Sequence, residues 1–192
     1  MRILIITIPR SGSVSLLLGL SETLKLKKVG EPFNKHLWNE QPNIDLDDIV
    51  VKTFIDQVPS NVKNPIEFYI ELSKKFDKTI LVTRENVLEA AQSYAYHSKH
   101  STTAGWVNKY YFDDTGLEVD SIYKWYVENI NNLKKLSQKL KIEIDTYENI
   151  FSGNSDNINQ FIDKHKLELN YNTLLEYLNP KNKYRQSTPT II

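Results

Sequence analysis

The chain begins with a short apolar run, residues 2–7 (RILIIT), in which isoleucine and leucine follow one another without a polar break. Such a run predicts a strand covered on both faces, as in a parallel sheet. Residues 16–26 then carry leucines at 16, 17, 20 and 24, the spacing of an amphipathic helix. Residues 49–54 (IVVKTF) and 79–83 (TILVT) repeat the strand pattern, and 142–146 (IEIDT) alternates as a fourth strand. Between them lie helical patterns at 65–76, opened by Asn64-Pro65, at 86–97, and at 119–140, where Ile122, Tyr126, Ile130, Leu133, Leu136 and Leu140 step by three and four. A further helix is predicted over 155–165, with Ile158, Phe161 and Ile162 on one side. Strands alternating with helices predict an α/β fold: a three-layer sandwich around a central, mainly parallel sheet.

Composition narrows the function classes. At 192 residues, with no repeat or low-complexity linker, one domain spanning 1–192 is expected. A hydrophobic share of 40% with 25% charged residues is globular and argues against disorder. The absence of cysteine excludes a disulfide scaffold, a thiolate metal site and a cysteine nucleophile. Twenty-four basic side chains balance 24 acidic ones, so a nucleic-acid partner is not expected. The first apolar run stops at Pro9-Arg10, too short for a signal sequence or a membrane span, which predicts a cytoplasmic protein without a membrane partner.

The chemistry-bearing stretch is Pro9-Arg10-Ser11-Gly12-Ser13-Val14-Ser15, between the first strand and the first helix. Parallel α/β folds bind phosphates there, because helix N-terminal N–H groups and the helix dipole favour an anion. Gly12 allows close backbone approach, Ser11, Ser13 and Ser15 offer hydroxyls, and Arg10 supplies positive charge. The same residues also suit a plain Ser-Gly turn capping a helix. They do not form the nucleotide triphosphate loop G-x-x-x-x-G-K-[ST], since Ser13 and Val14 follow Gly12 where lysine and a metal-binding hydroxyl are required. Such a P-loop-like phosphate-binding loop suits a phosphate-containing donor used without a metal.

This loop resembles the 5′-phosphosulfate loop of sulfotransferases that use 3′-phosphoadenosine 5′-phosphosulfate (PAPS), usually P-[RK]-S-G-[ST]-[ST]. Val14 departs from that pattern. A second segment, Leu81-Val82-Thr83-Arg84 continuing to Ser93, resembles the family's 3′-phosphate element. The resemblance implies PAPS as cofactor, with Arg84 and Ser93 at the 3′-phosphate. It further implies Tyr147, in a segment similar to Y-E-D-L, near the adenine, and Lys183 and Arg185 in a basic segment closing over the 3′-phosphate. The expected reaction is sulfuryl transfer to a hydroxyl of a small or carbohydrate acceptor, with Arg10, Lys52 and Glu31 carrying the chemistry. Small-phenol members use a histidine in a K-T-H-L-P-like segment; Lys52-Thr53-Phe54 matches it with Phe54 in that histidine's place. Glu31, in Gly30-Glu31-Pro32-Phe33, resembles instead the carboxylate segment of carbohydrate-type and bacterial members, so it is the expected general base. Partial desolvation is expected to raise its pKa. His36, His97 and Trp106 are expected on the acceptor side, the last in an aromatic-rich stretch over 98–116. A metabolite kinase of the P-loop type and a non-catalytic nucleotide-binding protein are the competing readings.

Overall fold

The computed structural model describes residues 1–35, 37, 38, 40–100 and 119–179, and the side chains of all of these except 96–100 and 119. Its centre is β1 (Arg2–Thr7), which pairs in parallel with β3 (Ile49–Phe54) on one side and β4 (Lys78–Thr83) on the other. Beyond β3 lies β2 (Lys27–Gly30), and beyond β4 lies β5 (Ile144–Thr146), so the all-parallel sheet reads β2-β3-β1-β4-β5. β1 is central and covered on both faces. Leu4 and Ile6 face one core, Ile3 and Ile5 the other, and all four are fully buried. This is the physical origin of its unbroken apolar run.

Leaving β1, the chain moves to one side of the sheet through α1 (Ser13–Leu24); leaving β3, it moves to the other through α2 (Pro65–Ser73). Right-handed crossovers in opposite directions put their helices on opposite faces. Accordingly, α1 shares its core with Ile150, Phe151, α6 (Ser155–Lys164) and α7 (Tyr171–Leu178). On the other face α2, α3 (Val87–His100) and α4 (Val119–Leu140) bury Tyr69, Leu72, Ala90, Tyr94, Tyr126 and Leu133. The fold is thus an α/β three-layer sandwich. Among the described residues no helix is long and apolar enough to cross a membrane.

Three elements escape the hydrophobic pattern. β2 (KKVG) is an edge strand without a fully buried residue, so it carries no apolar run. α5 (Tyr147–Ile150) is a single turn, capped by Thr146. α7, capped by Asn170, packs on α1 where Gly19 has no side chain: a Cβ there would stand 2.9 Å from Leu174. α1 also begins three residues earlier than the leucine spacing predicts, because Gly12, in the left-handed region at φ 72°, turns the chain directly into it.

Candidate functional site

β1 and β4 are neighbours whose following connections leave in opposite directions, which opens a crevice at their carboxyl ends. The loop after β1 is braced from within the protein. Ser11 Oγ donates to the Ile8 carbonyl at 2.7 Å and also bonds Thr7 Oγ1. Tyr126 on α4 donates to the Pro9 carbonyl at 3.0 Å, and Arg84 Nη1 to the Arg10 carbonyl at 3.1 Å. The segment after β3 joins this frame, with the Ile55 N–H on the Thr7 carbonyl at 2.9 Å. With those carbonyls held, the loop leads into the N–H groups at the start of α1.

That start differs from the other capped helices. Asparagine side chains cap α2, α6 and α7, and Thr146 caps α5, whereas Gly12 gives α1 no side-chain cap. The N–H groups of Gly12, Ser13, Val14 and Ser15 donate to no protein acceptor among the described residues. Ser13 and Ser15 are buried with their hydroxyls free of hydrogen bonds, while Val14 is exposed. Ser11, expected to offer its hydroxyl to a ligand, uses it to close the loop. Gly12 also meets a requirement of the fold itself. A Cβ there would collide with the Phe151 ring and stand 2.8 Å from Tyr147, two rings stacked with centroids 4.8 Å apart.

Arg10, Arg84 and Ser93 come together here from distant parts of the chain. Arg10 Nε donates to Ser93 Oγ at 3.0 Å across 83 residues. Arg84 lies over the Tyr147 ring at 4.6 Å and pairs with Glu89 at 2.7 Å. Its Nε is buried without a hydrogen-bond partner; the Glu148 carboxylate is 3.8 Å away, too far for one. Glu148 instead accepts from the Glu85 and Asn86 N–H groups at the entry to α3. Uncapped helix N–H groups beside a buried guanidinium with an unused N–H form a site suited to an anion.

Along the same edge, β2 and β3 bring Glu31 against Lys52, since Gly30 pairs with Lys52 in the ladder. The Lys52 ammonium, almost wholly buried, lies 2.6 Å from Glu31 Oε1 and 3.7 Å from the Phe54 ring centroid. Gln57 and Asn34 donate to Glu31 Oε2 at 2.9 and 3.0 Å. Burial pushes the Glu31 pKa up, but the Lys52 charge and the three donors outweigh it and hold the carboxyl below its ordinary value. The expected rise is therefore corrected: Glu31 is the fixed counter-ion of a buried lysine. Burial pushes Lys52 down from the ordinary lysine value, with Glu31 opposing.

A second carboxylate, Asp56, follows β3. Burial and the neighbouring Glu31 charge raise its pKa to about 6, against a hydrogen bond from its own backbone N–H, the Lys52 charge and a Trp125 hydrogen bond. Sequence reading missed Asp56, Tyr126, Asn34, Gln57 and Glu148; the one available signal was an acidic residue just past a strand's carboxyl end. His36, Trp106, Lys183 and Arg185 lie outside the described residues, as does the His97 side chain. A separate polar hollow of about 320 Å³, lined by Asp145, Asn157 and Lys164 among others, involves none of the residues of this crevice. Among the described residues no group of His, Cys, Asp and Glu could hold a metal ion. The fold and crevice define a parallel α/β protein with an anion-ready loop. Compared with known proteins, the chain matches no protein-family model and no curated protein.

Proposed function

We propose that this protein is a sulfotransferase that moves a sulfuryl group from PAPS to a hydroxyl of a small-molecule or carbohydrate acceptor. One observation carries the reading. The two segments that resemble the family's donor-binding elements, one near the start of the chain and one over 81–93, are hydrogen-bonded together, Arg84 to the Arg10 carbonyl and Arg10 to Ser93. Residues that grip two ends of one nucleotide must border one site, and these hydrogen bonds support that arrangement.

In this reading the N–H groups of Gly12 to Ser15 and the Arg10 side chain hold the 5′-phosphosulfate. Arg84 and Ser93 hold the 3′-phosphate, and Tyr147, already under Arg84, borders the adenine. When bound, the donor supplies an activated sulfuryl group and a phosphate leaving group. Positioning and electrostatic stabilisation of that leaving group then fall to Arg10, Lys52 and the start of α1. Glu31 keeps the Lys52 ammonium charged and fixed. Lys183 and Arg185 would add charge at the 3′-phosphate, and His36, His97 and Trp106 would border the acceptor.

Thermal unfolding with adenosine 3′,5′-bisphosphate, compared with ATP plus magnesium, tests the reading. Bisphosphate at 100 times its dissociation constant is expected to stabilise the protein by about 2.7 kcal/mol. Stabilisation by ATP–magnesium alone would point to a kinase and overturn the proposal.

A further inference from the structure

Three carboxylates around the crevice have both oxygens held by donors. Glu31 is bound by Lys52, Gln57 and Asn34. Glu148 receives two backbone N–H groups, and Glu89 receives Arg84 and the Asn86 amide. Asp56 differs: its Oδ1 is buried and has no hydrogen-bond partner among the described residues. It sits two residues past the end of β3, next to Ile55, whose N–H is bonded to the end of β1. Its own backbone N–H and Trp125 from α4 hydrogen-bond the carboxyl, and the charges that act on it are Glu31 from the end of β2 and Lys52 from β3. Tyr126 on α4, which also senses Arg10, Arg84 and Tyr94, senses the Asp56 charge in turn. Asp56 is thus within electrostatic reach both of the Glu31–Lys52 pair and of Tyr126, which braces the loop after β1.

Resting on the sulfotransferase reading, we propose that Asp56, and not Glu31, accepts the proton of the acceptor hydroxyl. As the acceptor oxygen bonds to sulfur, the bond from sulfur to the donor's phosphate oxygen breaks and its electron pair leaves with adenosine 3′,5′-bisphosphate. The hydroxyl proton passes to Asp56 Oδ1, an acceptor atom with no donor to displace. The two carboxyl groups divide the work because their surroundings push them apart: Lys52 keeps Glu31 ionised, while burial and Glu31 itself hold Asp56 near 6, the range of an efficient base at neutral pH.

The experiment uses the full chain as wild type, D56N, D56E and E31Q. Carbon-13 titration of the free protein should show an aspartate carboxyl with a midpoint near 6 that is absent in D56N. In E31Q that midpoint should fall, because a like charge is gone and Lys52 remains. Conversion of PAPS to adenosine 3′,5′-bisphosphate, with p-nitrophenol, N-acetylglucosamine and water as acceptors, should rise with pH through the same midpoint. D56N should lower that turnover by about 100- to 10,000-fold and remove the rising limb, with D56E restoring part of both. E31Q should keep the limb, displaced to lower pH. Thermal stabilisation by bisphosphate should persist in D56N, which also verifies that it folds. D56N with normal turnover, or E31Q alone removing the limb, overturns the assignment; so does a wild type that binds bisphosphate but leaves PAPS intact at every pH. Loss of bisphosphate binding in the wild type would instead overturn the sulfotransferase reading.

Discussion

Glu31 and Lys52 are partners that neither residue's local sequence announces. The pair exists because β2 and β3 run side by side with Gly30 opposite Lys52, and it is buried almost completely on the lysine side. Removing one member of such a pair leaves an isolated charge in the interior, which typically costs about 3–5 kcal/mol. Chemical denaturation of E31A at pH 7 should register a loss of that size, and E31A/K52M should recover a large part of it. The pH sense follows from the direction of the shift. Glu31 is held below its ordinary value, so its contribution is present above that value and fades as pH falls through the lower, folded-state pKa. The stability gap between wild type and E31A should therefore narrow in acid; a gap constant from pH 7 to pH 3 would contradict the pairing. Glu31 and Lys52 were legible as candidate residues. The sign of the Glu31 shift was not, because it depends on a neighbour 21 positions away.

Among the elements, the strands of the sheet's interior and the long helices were legible because each buries a continuous run or a regular stripe. The elements that escaped are those stabilised by caps and contacts instead of pattern: β2 at an edge, the single turn α5, and α7 seated on Gly19. α5 matters most, since it brings Tyr147 and Phe151 against the loop entering α1. Gly12 is needed there twice over, for its left-handed backbone and for the space those rings occupy. G12A should cost about 1–2 kcal/mol for the left-handed conformation, and a further 1–3 kcal/mol or so for overpacking. Denaturation of G12A, F151L and the double variant separates the two. The combined loss should fall short of the sum of the single losses, because trimming Phe151 relieves only the steric part; strict additivity would show that Phe151 does not limit Gly12.

At the scale of the whole molecule, strand order decides what can meet. No periodicity in the chain specifies β2-β3-β1-β4-β5, yet that order alone sets Arg84 beside Arg10. The two arginines then predict different losses. R10A and R84A should each weaken adenosine 3′,5′-bisphosphate binding by about 1.5–3 kcal/mol, the usual worth of a hydrogen bond to a charged group. Only R84A should also narrow the preference for the bisphosphate over AMP, measured by calorimetric titration of both ligands. Equal preference ratios in the two variants would remove Arg84 from the 3′-phosphate.

The same strand order governs how the crevice comes into being. β1 has no partner near it in the chain: Arg2 pairs with Ile49, and Ile3 with Lys78. Each of these ladders must close a long loop before any pairing rewards it, which makes the search for the native sheet slow compared with hairpin or helical folds. Until β4 docks, Arg84 is absent from the loop after β1, and until α4 packs, the Tyr126 bond to Pro9, spanning 117 residues, is absent as well. Helix α1 can form early from local contacts, but the crevice at its start is assembled only with the complete sheet, so the site proposed for the nucleotide belongs to the finished fold and not to any segment within it.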